Sequence, residues 1–296
     1  MFLRLFESTL RSQRPEIVVT YGGYWFGSEL VKTARMNGAK TVVLLQNFAY
    51  HEIDYFHDVD LTITPSHFAS GVYRERLGLR TTVIPPLIDW QAIKASSYGD
   101  ASTREYVLFV NPDSRKGAPL FARIVSDMAE IRPDVRFLVV EGSAQTDALV
   151  RTGVDLTSAR NLYRMKNTGN VGDFYSRAKL TLIPSFFDES FGRVAAESLI
   201  ACVPVVASNR GALPETLGNA AILLGVPEQY TPESNLTPTP DDAAPWIHAI
   251  LRLWDDSDFY KVMRAKCDKE AQRWRYSPIA DQYENAFSAL LDKGDA

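Results

Sequence analysis

The sequence predicts an α/β protein built from two doubly wound parallel sheets, and three observations carry that prediction. Short, almost continuous apolar runs recur, among them 40–46 (KTVVLLQ), 106–110 (YVLFV) and 203–208 (VPVVAS). Runs of that kind suit strands buried on both faces of a parallel sheet. Helical stretches alternate with them, which is the rhythm of strand–helix–strand units. The rhythm runs through the chain twice, on either side of a polar, small-residue stretch at 90–103 (WQAIKASSYGDAST). The expected organisation is a first domain over 1–92, a linker over 93–103, a second domain over 104–276, and a last helical segment over 277–296.

In the first domain, Leu3, Phe6 and Leu10 fall at helical spacing and predict an amphipathic helix. Strand 16–21 follows, then a turn at Gly22-Gly23, helix 26–37 and strand 40–46. The aromatic and polar segment 48–58 reads as a loop. Strand 60–65, helix 67–77 and strand 81–85 complete the domain, and Asp58 and Asp60 read as the start of their strand rather than a metal site. The second domain opens with strand 106–110 and the loop Asn111-Pro-Asp-Ser-Arg-Lys-Gly117. Helix 118–131, strand 136–141, a helical piece 145–151, strand 161–165 and helix 172–178 come next. Residues 180–215 then place a strand, an acidic loop, a helix starting at Gly192, a second strand and the loop Gly211-Ala-Leu-Pro-Glu215 in succession. Strand 220–224 and helices 242–256, 257–274 and 277–292 close the chain.

Composition removes several function classes. The 296 residues carry 32 Lys and Arg against 36 Asp and Glu, a formal net charge of -4. The first hundred residues are evenly balanced, so neither half is a basic module. Nucleic acid is not an expected partner, and no polybasic surface for anionic lipid is expected. No apolar run approaches the roughly 20 residues that span a bilayer. Arg4 interrupts any signal-peptide core, and the two cysteines, Cys202 and Cys267, lack metal-ligand spacing. The expected compartment is the cytoplasm. No GxGxxG, Walker A or GxSxG pattern follows any strand. The four histidines do not pair at metal-ligand spacing.

Ligands of parallel α/β sheets bind at the carboxyl ends of strands. The loops at 111–117 and 185–192 both sit at such ends. Gly192 opens a helix, whose unpaired N–H groups and roughly half positive charge favour phosphate or sugar hydroxyls. Arg193 and Glu197, four apart, share one helix face. Glu197 is able to accept two hydrogen bonds from a ribose diol, and Glu189 the same from a hexose. Lys116 and Arg115 are placed to meet a diphosphate. The residues alone leave another reading open: Glu189 as a charge complement to the helix start, Glu197 as a partner of Arg193, and Arg115 and Lys116 as solvated surface cations.

The ordered set is more specific than its parts. It comprises Lys116-Gly117, Pro184-Ser185, Glu189-x7-Glu197, Pro204-Val-Val-Ala-Ser208 and Gly211-x-x-Pro-Glu215. This set resembles the donor-binding domain of retaining GT-B glycosyltransferases of family 4. The match covers roughly residues 104–292, and 14–89 resembles the second half of the family's first domain, closing at Val83-Ile-Pro-Pro-Leu-Ile-Asp89. The resemblance implies a GT-B-like fold of two Rossmann-like lobes, the N-terminal one incomplete. It implies sugar transfer from a nucleoside diphosphate sugar to a saccharide or lipid-linked acceptor, with retention, no cofactor and no metal. Lys116 and Glu189 are then the catalytic expectations, Lys116 neutralising the diphosphate and Glu189 facing the donor sugar. Glu197 would bind the ribose, the N–H groups of Ser190, Phe191 and Gly192 the sugar hydroxyls or phosphate, and Met165 and Lys166 the base.

Three departures stand out. Asn111-Pro112 replaces the usual Gly-Arg, so Arg115 or Arg193 is the expected compensation. Gln46 stands where a histidine is frequent near the donor sugar, and His51 is the nearby substitute. Cys202 replaces a usual glycine, read as a packing change. Gln46, Pro112 and the shortened first lobe keep a second reading open: a non-catalytic nucleotide-sugar-binding protein or partner subunit.

Overall fold

The computed structural model describes residues 1–21, 26–95, 103–234 and 236–292. The Gly22-Gly23 turn and most of the expected linker lie outside the described residues. The chain divides into two compact units, Met1–Leu87 with Tyr276–Ala296, and Ile88–Arg275.

The first unit starts with helix α1 (Phe2–Gln13), whose Leu10 is buried with Ala34 and Ala39. Strand β1 (Ile17–Thr20), helix α2 (Gly27–Met36), strands β2 (Lys40–Leu44) and β3 (Leu61–Thr64), helix α3 (His67–Leu77) and strand β4 (Thr82–Val83) follow. The four strands are parallel and lie in chain order, β1-β2-β3-β4. Ser66 caps α3 by accepting the Ala69 N–H, and Gly78 ends it in the left-handed conformation. Val31, Val43, Leu45, Phe56 and Tyr73 form the core. The aromatic loop after β2 contains one short 3-10 turn at Ile53–Phe56. It is held by Tyr73, whose hydroxyl donates to the Asn47 carbonyl at 2.6 Å, and by Arg76 on the Phe48 carbonyl at 2.8 Å. Asp60 ties β3 to β2 by accepting the Thr41 N–H at 2.8 Å, a structural use of that carboxylate.

The second unit begins differently from expectation. Residues assigned to the polar stretch at 90–103 form helix α4 (Trp90–Ala95), because Ile93 finds a buried seat there. Strand β5 (Tyr106–Val110), helix α5 (Ala118–Ile131), and strands β6 (Arg136–Val140) and β7 (Leu162–Met165) come next. The helical piece between β6 and β7 is a 3-10 helix, Thr146–Thr152. Helix α6 is a single turn, Gly172–Tyr175, and strand β8 begins at Ala178. Helix α7 (Arg193–Ile200), strand β9 (Val205–Ser208), helix α8 (Leu213–Leu217) and strand β10 (Ala221–Leu224) follow. Helices α9 (Pro240–Asp255), α10 (Ser257–Ala271) and α11 (Tyr276–Asp292) end the chain, and α11 belongs to the first unit. Helix α9 opens on a capping box between Thr239 and Asp242.

The six strands of this unit are parallel in the order β10-β9-β8-β5-β6-β7. Phe109, Phe121, Phe137, Leu180, Leu182 and Trp246 fill the core between the sheet and helices α5 and α9. The order has one consequence for function. Strand β5 pairs with β6 on one side and β8 on the other, so the chain direction across the sheet reverses between β5 and β8. Loops that leave β5 and β8 must therefore diverge, and a crevice opens between them. No helix among the described residues is long and apolar enough to cross a membrane.

Candidate active site

The crevice lies where the topology requires it. Asn111 and Lys116 after β5, and Glu189, Gly192 and Arg193 after β8, line a cleft of about 130 Å³. Its floor is apolar, from Phe109, Leu182 and Ile183 at the strand ends. The two loops are joined by the Phe186 N–H donating to the Arg115 carbonyl at 2.9 Å.

Glycines let these backbones approach. Gly117 has φ 84°, and a Cβ there would stand 1.9 Å from the Pro184 carbonyl oxygen. Gly211 has φ 58°, and its Cβ would meet the Glu189 nitrogen at 2.4 Å. Only a residue without a side chain fits either place. The neighbouring Ala212 N–H then fixes the Glu189 carbonyl at 2.8 Å. The Gly211-x-x-Pro-Glu215 loop thus serves as the rear support of Glu189.

The side chain of Glu189 is 9% exposed and gripped by Lys116. The Lys116 ammonium donates to both carboxylate oxygens, at 2.7 and 2.9 Å, and the Ser185 hydroxyl donates to one of them at 2.9 Å. Lys116 also sits 4.7 Å from the Phe187 ring centroid, a cation–π contact.

Glu197 forms a second cluster on α7. Tyr175 donates its hydroxyl to one carboxylate oxygen at 3.0 Å, and Arg193 reaches the other at 3.3 Å. Burial pushes the Glu197 carboxyl above its ordinary value, while Arg193 and the Tyr175 hydroxyl pull it back. The fully buried Tyr175 phenol is pushed well up by the same desolvation. At the start of α7, Gly192 is left-handed at φ 86°. The N–H groups of Phe191 and Gly192 make no hydrogen bond among the described residues. They are oriented donors at the positive end of the helix.

The structure thus brings together Lys116, Glu189, Phe191, Gly192, Arg193 and Glu197. Ser190 lies in the same loop, half-buried and already engaged in an interaction. Arg115 does not join the cluster. Its guanidinium forks onto Asp113 at 3.0 Å through both arms, because the short turn points the two side chains the same way. Met165 and Lys166 sit at the carboxyl end of β7, where the Met165 carbonyl accepts the Glu141 N–H at 2.9 Å and Lys166 is exposed. Gln46 belongs to the first unit, exposed just beyond β2, and His51 is exposed in the following loop. Cys202 has φ 52°, which accounts for a glycine-favouring position at the end of α7.

Sequence reasoning missed Tyr175, because one tyrosine ending a single-turn helix carries no pattern. It also passed over Ser185, although Pro184-Ser185 stood within the ordered set.

A family model described as glycosyl transferases group 1 matches residues 104–256. The chain is 26% identical over 188 residues to a D-inositol 3-phosphate glycosyltransferase of Corynebacterium kroppenstedtii, spanning 60% of this chain and 39% of that protein. It is 22% identical over 255 residues to the lipopolysaccharide 1,2-N-acetylglucosaminetransferase of Salmonella typhimurium, spanning 78% of this chain and 62% of that protein. Among solved structures, the sucrose-phosphate synthase of Thermosynechococcus elongatus superposes with TM-score 0.76 at 17% identity, covering 99% of this chain and 78% of that one. Anabaena HepE in complex with UDP-glucose superposes with TM-score 0.75 at 15% identity, covering 97% and 82%. These likenesses show a GT-B type of fold. The chain spans about two fifths of the length of the Corynebacterium relative.

Proposed function

The chain belongs to the glycosyl transferases group 1 family, and from that premise we propose that it transfers a sugar from a nucleoside diphosphate sugar to a hydroxyl of a polyol or saccharide. The observation that carries this reading is the Lys116–Glu189 pair seated beside the α7 start in the crevice between β5 and β8. Inositol phosphate and lipopolysaccharide, named in two relatives, are both hydroxyl-rich molecules.

In the proposed reaction the donor diphosphate takes the Lys116 ammonium and the N–H groups of Phe191 and Gly192. Glu189, released from Lys116, accepts hydrogen bonds from the donor sugar. Glu197 accepts from the ribose diol. The acceptor oxygen forms a bond to the anomeric carbon as the bond from that carbon to the phosphate oxygen breaks. The acceptor proton passes to a phosphate oxygen, so no protein base is needed and attack from the leaving-group side retains the configuration. Lys116, Arg193 and the helix start offset the charge that develops on the leaving diphosphate. In this reading they take the part a divalent cation plays elsewhere.

The test is a thermal-shift screen of nucleoside diphosphates and their sugars, followed by donor turnover with the hits. A ligand that binds only the folded state raises the unfolding temperature. Binding with turnover is expected. Binding without hydrolysis or transfer would make the chain a nucleotide-sugar-binding subunit, and absence of any shift would remove the donor site altogether.

A further inference from the structure

The polar residues lining the cleft are Asn111, Lys116, Glu189 and Arg193, and Asn111 alone among them is not in an ion pair. Its backbone has φ 61°, a left-handed conformation that asparagine tolerates better than most residues. That conformation turns its side chain toward the loop after β6. There Oδ1 accepts the Ala144 N–H at 2.9 Å and the Ser143 hydroxyl at 3.2 Å. Gly142 makes room for this, since a Cβ there would lie 2.8 Å from the Asn111 Cβ and Cγ.

The Ala144 contact settles the orientation of the amide. A backbone N–H only donates, so the atom facing it is the oxygen. The other branch is therefore Nδ2, which carries two N–H donors. Among the described residues Nδ2 has no hydrogen-bond partner, and it is not among the atoms sealed from solvent. The cleft already contains one carboxylate, Glu189, and two cations, Lys116 paired with Glu189 and Arg193 paired with Glu197 beside the cleft. A donor with no proton to lose, held by its own oxygen, fits an acceptor-only group.

We infer that Asn111 is a donor-binding residue whose Nδ2 hydrogen-bonds an oxygen of the bound diphosphate, with Oδ1 and the 142–144 loop holding it in place. This rests on the donor-site reading above. It assigns to a neutral amide a contact that Arg115, turned onto Asp113, does not make in this structure.

The probes are inorganic pyrophosphate, UDP and GDP, with affinity measured by calorimetry and folding by thermal unfolding. Asn111→Asp keeps the shape, tolerates the left-handed backbone and retains the acceptor for Ala144, but replaces the donors with a carboxylate oxygen. Its melting temperature should stay near wild type, while the affinity falls on the order of 100-fold, a hydrogen bond to a charged group having become a repulsion. Asn111→Gly keeps the backbone and loses both branches, and its affinity should fall about tenfold. If wild type binds none of the probes, the donor-site reading fails. If wild type binds and either folded variant binds equally well, the role of Asn111 is overturned and the donor site stands.

Discussion

Replacing Lys116 with alanine separates what its ion pair does for folding from the part proposed for it in sugar transfer. Lys116 meets both oxygens of Glu189, whose side chain is 9% exposed while that of Lys116 is 30% exposed. Removing one partner of a buried pair costs about 3–5 kcal/mol, because a charge is left in low dielectric. The partial exposure of Lys116 and the remaining Ser185 hydroxyl bring that down to about 2 kcal/mol. Lys116→Ala should therefore lose about 2 kcal/mol in urea unfolding. In a transfer assay with the donor sugar found by screening, it should lose on the order of 100-fold in kcat, as expected for one preorganised contact to developing charge. Glu189→Gln should show a similar loss of transfer. The decisive variant is the double, Lys116→Ala with Glu189→Gln. It removes the orphaned charge, so stability should recover most of the loss, with a coupling of about 1–2 kcal/mol. Turnover should not recover. A double variant that regained both would show the pair to be a structural salt bridge, and the catalytic assignment would fall.

Other outcomes follow from the same geometry. Glu197→Gln should be at least as stable as wild type at pH 7, since burial raises the folded-state pKa of Glu197 and its ionised form costs stability there. That advantage should vanish as pH falls below the ordinary glutamate value of about 4.3, where wild type is protonated as well; an advantage that grew on acidification would contradict the sign. Glu197→Ala should chiefly weaken nucleoside diphosphate binding in calorimetry, and unchanged affinity would remove its ribose role. Gly117→Ala places a Cβ against the Pro184 carbonyl and forces an unfavourable φ, so a loss of about 3 kcal/mol or more in chemical denaturation is expected. An alanine variant with wild-type stability would mean the two loops are not packed as described.

Much of this site could be read from the chain because its parts obey local rules. The apolar runs at 106–110 and 136–140 can only be buried strands, and Gly117 and Gly192 announce turns that open helices. Glu189 and Glu197 stood out through their fixed spacing within an ordered set. What stayed hidden was non-local. The bond from Tyr175 to Glu197 links residues 22 positions apart across two helices. The fate of Arg115 depended on a turn that aims it at Asp113, and composition cannot distinguish that from an arginine aimed at the cleft. Helix α4 was concealed because a six-residue helix with one buried isoleucine resembles a linker until its neighbours are known. Asn111 appeared in sequence only as a departure, and its left-handed backbone gave that departure a physical meaning.

The resting embrace of Lys116 and Glu189 has a thermodynamic consequence for selectivity. A phosphate that takes the lysine leaves the buried glutamate without its cation. A sugar that takes the glutamate leaves the lysine uncompensated. Only a molecule carrying an anion and a hydroxyl array at the right separation replaces both halves at once. The cleft should therefore discriminate against the abundant inorganic phosphate and free sugars that match one half of it. The same imbalance should make the spent nucleotide, stripped of its sugar, bind less tightly than the donor that brought it in.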